Sequence, residues 1–245
     1  MTVSLTPRRA LVTGGAHGIG AAIAQQLAAA GVQVVIADID AEGATHWAAH
    51  IGASAAHLDV TDTARVAAVT GALGPFDILI NNVGVDQHAY FTHTSPDDWR
   101  RLLNLNLESV FATTHAALPA MQAARFGRIV NIASEAGRLG SRGAAVYAAA
   151  KGGVIAFTRS IARENARLGI TANVVAPGPI DTPLLRQAVG QGGDKRLQAM
   201  TAATLIGRLG TPDEVAAAVV FLASDSASFI TGEVLGVSGG MGCGA

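Results

Sequence analysis

The sequence predicts an α/β protein: one domain built on a doubly wound parallel sheet of about seven strands, with helices on both faces. Three observations carry this. Short β-branched runs alternate with longer helical patterns along all 245 residues, the order that produces βαβ units. The runs V-V-I-A and I-L-I-N are apolar without alternation, as expected of strands covered on both faces. A glycine-rich turn, T-G-G-A-H-G-I-G over Thr13 to Gly20, follows the first run and opens a helical pattern. In parallel sheets that arrangement holds a pyrophosphate at a helix N-terminus.

Strands are read, in order, over Arg9 to Thr13, Gln33 to Asp38, Ala53 to Leu58, Ile78 to Asn81, Gly127 to Ala133, Thr171 to Ala176 and Glu233 to Val237. The intervals carry helices of roughly 10 to 25 residues, long enough for parallel crossovers. In the turn, Gly14, Gly18 and Gly20 are spaced G-x-x-x-G-x-G rather than G-x-G-x-x-G. Its strand-turn-helix context therefore carries the assignment of a phosphate loop, which also holds His17 and Ile19; a glycine turn without a ligand is the alternative.

Asp38 closes the second strand, twenty residues after Gly18, where an acid accepts hydrogen bonds from adenosine ribose hydroxyls; a solvated strand-end acid is the alternative. Two unit charges ~4 Å apart at an effective dielectric of ~20 interact by ~4 kcal/mol, and a ribose phosphate carries about -1.5 to -2. The expected cofactor is therefore NAD rather than NADP. His17 pulls the other way, as a residue of the loop where a cation meets a phosphate. Asp59 and Val60, after the third strand, are placed to meet the adenine edge, with Asn82 and Gly84 of N-N-V-G bordering it.

Tyr147 and Lys151 stand one helical turn apart in Y-A-A-A-K, and Ser134 lies thirteen residues upstream at the end of an apolar run. Positions i and i+4 share a helix face with Cβ atoms roughly 5 to 6 Å apart, so an ammonium at Lys151 favours the phenolate of Tyr147. Ser134 adds a hydroxyl that can hold a substrate oxygen. The plain alternative is a half-buried helix whose tyrosine packs and whose lysine snorkels.

Composition excludes several classes. Half of the residues are apolar, 14% are charged and the formal net charge is -1, without the Lys/Arg runs of a nucleic-acid or polybasic membrane surface. One cysteine, Cys243, excludes an internal disulfide or a cysteine zinc cage, and His46 and His50 share a helix face without a metal-binding pattern. No apolar stretch reaches the ~18 residues of a membrane span, and Met1 to Pro7 lack the apolar core of a signal peptide. The expectation is a cytoplasmic protein acting on a small molecule, with no nucleic-acid or membrane partner. The helix over Gly143 to Ala162 is apolar almost all round, which suggests burial against another subunit as well as the sheet. Thr182 to Gly210, interrupted by Gly190, Gly192 and Gly193, reads as a mobile flap over the site or as a plain surface excursion.

Assembled, these residues resemble a classical short-chain dehydrogenase/reductase over essentially the whole chain: T-G-x-x-x-G-x-G, the acid at 38, N-N-x-G, Asn106, Ser134, Y-x-x-x-K and P-G. Val83 departs from the alanine usual there. The resemblance implies a Rossmann fold and reversible hydride transfer between NAD and a secondary alcohol or ketone. It makes Tyr147 the general acid/base, with Lys151 holding the nicotinamide ribose and lowering the Tyr147 pKa. Ser134 then polarises the substrate oxygen, and Asn106, rather than neighbouring Asn104, supports a water relay to Lys151. Pro177, Gly178, Ile180 and Thr182 would pass the nicotinamide and reach the phosphates, and a homotetramer is implied.

The run I-A-S-E-A-G-R-L-G-S is similar to NAD-linked 2-hydroxycyclohexanecarboxyl-CoA dehydrogenases, so the expected substrate is a cyclic 2-hydroxyacyl-CoA or another alicyclic alcohol. The chain is also similar to 3-oxoacyl-carrier-protein reductases, which normally use NADPH; these give the alternative, a 3-oxoacyl thioester. Val85 to His88, Glu135, Arg138, Val146 and Pro179 would line the pocket, with Arg138 and Arg142 either solvated or meeting an anionic group. A non-catalytic dinucleotide sensor on the same fold is the alternative of another class.

Overall fold

The computed structural model describes residues 8–189 and 193–243. Met1 to Pro7, Gly190 and Gly192 lie outside the described residues. The chain runs β1 (Arg9–Thr13), α1 (Gly18–Ala29), β2 (Gln33–Asp38), α2 (Ala41–Ile51), β3 (Ser54–His57), α3 (Thr63–Leu73) and β4 (Ile78–Asn81). It continues through α4 (Pro96–Leu103), α5 (Ser109–Ala124), β5 (Gly127–Ile132), α6 (Ala136–Leu139), α7 (Ala145–Asn165) and β6 (Ile170–Pro177). The last part holds α8 (Pro183–Val189), α9 (Asp194–Ala202), α10 (Pro212–Ala223) and β7 (Val234–Val237).

Seven strands form one sheet in the order β3-β2-β1-β4-β5-β6-β7, every pair parallel. The chain winds outward from β1 to β3, then returns to β4 on the other side of β1. That reversal opens a crevice at the carboxyl ends of β1 and β4, where open α/β sheets take their ligands. Alternate side chains send the core to both faces. Ala10, Val12, Ile36 and Ile80 pack with Ile23 and Leu27 of α1 and with Val215 and Val219 of α10. Leu11, Val35, Leu79 and Ile129 pack with Val66 of α3, Met121 of α5 and Ile161 of α7.

Helix starts follow the local sequence. Ser95 and Thr211 each form a reciprocal capping box, with Asp98 and Glu214, ahead of a proline in the first turn, and Asp40 caps α2 by accepting from Gly43 N. Each such cap stabilises its helix by about 1 kcal/mol. The segment read as a mobile flap or a surface excursion carries α8 and α9, and the Ile180–Gly210 bridge ties its base to the end of β6.

Candidate active site

The glycine turn is built as a cradle. Gly14 and Gly18 adopt φ of 62° and 53°, and a Cβ at Gly20 would overlap the Gly14 carbonyl oxygen. Asn82 holds the turn from β4: its side-chain amide donates to Thr13 O at 3.2 Å and Gly14 O at 2.9 Å. Its own backbone N–H donates to Thr13 Oγ1. Thr182 faces Gly18 across the crevice, its Cγ2 3.5 Å from the position a Gly18 Cβ would take, and its hydroxyl accepts from Leu185 N at the start of α8. Ile19 follows in the first turn of α1.

Asp38 lies at the carboxyl end of β2, half-buried and held by two backbone donors. Ala16 N donates to Oδ2 and Asp40 N to Oδ1, both at 3.0 Å. His17, on the rim, is bonded to the second acid: its Nε2 is 2.7 Å from Asp40 Oδ2. Asp59 follows β3 in a tight turn, accepting from the Thr61 hydroxyl and backbone N–H, which hold its carboxyl below the usual range. Val60 beside it is buried.

Asn106 sits in a π-helical turn, Asn104–Glu108, between α4 and α5, a feature that often marks functional sites. The side chain explains the turn. Asn106 Nδ2 donates to Val85 O and Leu102 O, both at 2.9 Å, while Oδ1 accepts from Val85 N. Asn106 is fully buried; Asn104, the other candidate, is not. A Cβ at Gly84 would lie 2.9 Å from both Asn106 Oδ1 and Lys151 Nζ, so the glycine leaves room for those two groups to share one space.

Lys151 enters from α7 and donates from Nζ to Ile132 O at 2.9 Å. It is 2% exposed, and burial lowers its pKa to about 8. Its Nζ stands 5.8 Å from the Tyr147 ring centroid. Burial also acts on Tyr147, pushing its pKa up to about 12; the Ser134 hydroxyl draws it down and the Asp86 carboxylate raises it. Here the structure corrects the sequence reading. Loss of solvent around the phenol sets the direction of the shift, which is up rather than down. Ser134 follows β5, its Oγ accepting from Ala136 N at 3.1 Å. Tyr147, Ser134, Lys151 and Asn106 thus converge at the carboxyl ends of β4 and β5.

Pro177 and Gly178 continue β6 past this group, with Gly178 against Ser238 and Ile180 buried beneath Gly210. The cradle suits a dinucleotide: a pyrophosphate needs close backbone approach at a helix N-terminus. An ammonium carries three N–H donors, of which Ile132 takes one, leaving Lys151 able to donate to ribose hydroxyls.

A family model described as enoyl-(acyl carrier protein) reductase matches residues 14–242. The 3-oxoacyl-(acyl-carrier-protein) reductase of Salmonella typhimurium is 42% identical, over 98% of this chain and 99% of that protein. The chain belongs to the short-chain dehydrogenase/reductase family. Acetoacetyl-CoA reductase of Shinella zoogloeoides is also 42% identical, over 95% of this chain and 98% of that one. Among solved structures, a "putative gluconate dehydrogenase" from Agrobacterium tumefaciens superposes with a TM-score of 0.94 at 31% identity, covering 98% of each chain. The protein is thus an oxidoreductase of a family that binds a nicotinamide dinucleotide.

Two expectations for this short-chain dehydrogenase/reductase change with the structure. Glu135 is 1% exposed and turned away from the crevice, packed against Gly236 and Gly242; Arg138 Nη1 lies 3.1 Å from both its carboxylate oxygens. A carboxylate in low dielectric needs such a partner, so neither residue is free to line a pocket. Arg142 lies 5.5 Å from the Tyr90 ring centroid. A supporting network was missed. Asn81 Nδ2 donates to Asn131 Oδ1 across β4 and β5, Thr113 donates to Asn81, and Asn131 donates to Thr158. The signal was present as one asparagine in each of two largely apolar strands, I-L-I-N and R-I-V-N-I. The departing residue, Val83, packs on the glycine turn, its Cγ2 3.1 Å from a Cβ placed on Gly14.

Proposed function

We propose that this oxidoreductase interconverts a 3-oxoacyl thioester and its 3-hydroxyacyl form, carried on CoA or a carrier protein, with NAD as its dinucleotide. One observation supports this most: a half-buried Tyr147 beside Ser134, with Lys151 one turn along the same helix and the glycine cradle at the same end of the sheet. Bound NADH would supply the hydride to the carbonyl carbon. Ser134 donates a hydrogen bond to the ketone oxygen, and Tyr147 transfers its proton to that oxygen; in oxidation Tyr147 takes the proton back. Lys151 orients the nicotinamide ribose, and Asn106 keeps the π turn and Val85 in place beside it. Gly14, His17, Gly18, Ile19 and Gly20 surround the pyrophosphate, Asp59, Val60, Asn82 and Gly84 border the adenosine side, and Pro177, Gly178, Ile180 and Thr182 flank the nicotinamide end.

The choice of NAD follows from Asp38, whose carboxylate would repel a ribose phosphate. The thioester follows from the relatives, reductases of 3-oxoacyl and acetoacetyl thioesters by name and similar over nearly the whole chain. It displaces the cyclic 2-hydroxyacyl-CoA as the main reading, since those relatives are named for 3-oxoacyl and acetoacetyl substrates rather than cyclic ones. A purely sensory role would leave Ser134, Tyr147 and Lys151 assembled without a task. The reading includes a cytoplasmic homotetramer, supported by the exposed Phe111, whose ring is tilted against that of Phe157 with centroids 4.6 Å apart, along α5 and α7. It also includes the 182–210 segment as a cover over the substrate.

The test is NADH oxidation with acetoacetyl-CoA and longer 3-oxoacyl thioesters, set beside cyclic ketoacyl-CoAs and, in the reverse direction, aldonates with NAD. The thioesters should give the highest kcat/KM. Turnover confined to cyclic substrates or aldonates would overturn the assignment.

A further inference from the structure

The rim of the adenosine-ribose site carries two acids, Asp38 and Asp40, and one imidazole, His17. Asp38 is fixed by Ala16 N and Asp40 N. Asp40 turns its carboxylate onto two other partners: Gly43 N donates to Oδ1 at 3.0 Å, and His17 Nε2 lies 2.7 Å from Oδ2. The contact has little tolerance, because a Cβ at Gly43 would overlap Asp40 Oδ2 and lie 3.1 Å from His17 Cε1. His17 itself makes no capping bond to α1. It is the cation candidate nearest the glycine turn, and its ring is held on α2's cap instead of facing the ribose.

We propose that Asp40 is a second cofactor-specificity residue, acting by clamping His17 so that the imidazole cannot receive a ribose phosphate. The proposal rests on the NAD reading above and refines it: selection against NADP comes from repulsion at Asp38 together with the sequestration of His17. The two acids are then energetically coupled through one ligand group. Removing Asp38 alone leaves His17 held by Asp40, and removing Asp40 alone leaves the repulsion intact. Removing both releases an imidazole beside the phosphate position.

The experiment measures NADH and NADPH dissociation constants by nucleotide fluorescence at pH ~6, without substrate. The variants are Asp38→Ala, Asp40→Asn, the double variant, and the double variant with His17→Ala. Asparagine is as good an N-cap as aspartate, so Asp40→Asn keeps the oxygen that accepts from Gly43 and the start of α2. The expected result is a gain in NADPH affinity, relative to NADH, that exceeds the product of the single gains by roughly fivefold or more and disappears with His17→Ala. Additive gains in a protein that prefers NADH, or an excess that survives His17→Ala, would overturn the clamp while leaving the NAD reading intact. Equal affinity of the unmodified protein for both dinucleotides would refute that reading, and the clamp with it.

Discussion

Replacing Lys151 with methionine separates the electrostatic cost of the site from its chemistry. Lys151 is 2% exposed, and burial takes its pKa from 10.5 to about 8. The unfolded chain therefore holds this proton more tightly than the folded one, and wild-type stability rises with pH between about 8 and 10.5 and is lost as pH falls through that window. At pH ~7 both states are largely protonated, and burying the ammonium costs about 3 kcal/mol at ~1.4 kcal/mol per pH unit. Methionine removes that cost. It also removes the bond from Nζ to the Ile132 carbonyl, a loss of about 1 to 3 kcal/mol that does not titrate. The two effects nearly cancel near neutrality, so the decisive quantity is the change with pH.

Between pH ~7 and ~9.5 the wild-type protein gains ~2 kcal/mol relative to Lys151→Met. For a chain of this length each kcal/mol moves Tm by about 2 to 4 °C, so the difference in Tm between the two proteins should shift by about 4 to 8 °C in favour of wild type. Calorimetric melting of both dinucleotide-free proteins at the two pH values measures it. An unchanged Tm difference would show that Lys151 is not a strained ammonium in the folded state.

Tyr147→Phe removes the proton donor and keeps the ring; kcat for ketone reduction should fall by about 10² to 10⁴ while the NADH dissociation constant, read by fluorescence, stays within about twofold. Asn106→Ala strips partners from Val85 N, Val85 O and Leu102 O. It should lower stability in urea unfolding by about 2 to 4 kcal/mol and reduce kcat as the π turn and the Val85 segment relax; a variant as stable as wild type would mean that Asn106 does not hold this turn.

Strands were legible because a covered strand must be apolar for its full length, and five to eight such residues in a row leave few alternatives. Three of the seven strands, β1, β2 and β4, start and end where the sequence placed them; β5 matches at its start and ends one residue early, and β3, β6 and β7 shift by a residue at one or both ends. Those ends are set by pairing in the neighbouring strand, which a single sequence does not display. The helix expected over Gly143 to Ala162 runs from Ala145 to Asn165, since Gly143 holds φ of 79° and cannot join the first turn. The site residues were legible as spacing: Tyr147 and Lys151 share a face by helical period, and the glycine turn announces a close approach. Side-chain commitments were not. Nothing in E-A-G-R says that Glu135 turns away from the crevice to hold Arg138, and nothing in A-D-I-D says that Asp40 holds His17.

The least legible property was the direction of the Tyr147 shift. Spacing gives the distance to Lys151, but the phenol's acidity depends on how much solvent each group has lost, and that is set by strands and helices far apart in sequence. Burial disfavours whichever form is charged, so the same crevice raises the tyrosine and lowers the lysine. At neutral pH this leaves a neutral phenol and a cation with one protein acceptor, a pair suited to giving a proton to a ketone. Alcohol oxidation asks for the phenolate instead, so it requires the positive charge near Tyr147 to grow once the site is filled. Oxidation is therefore the direction in which activity should depend most steeply on rising pH.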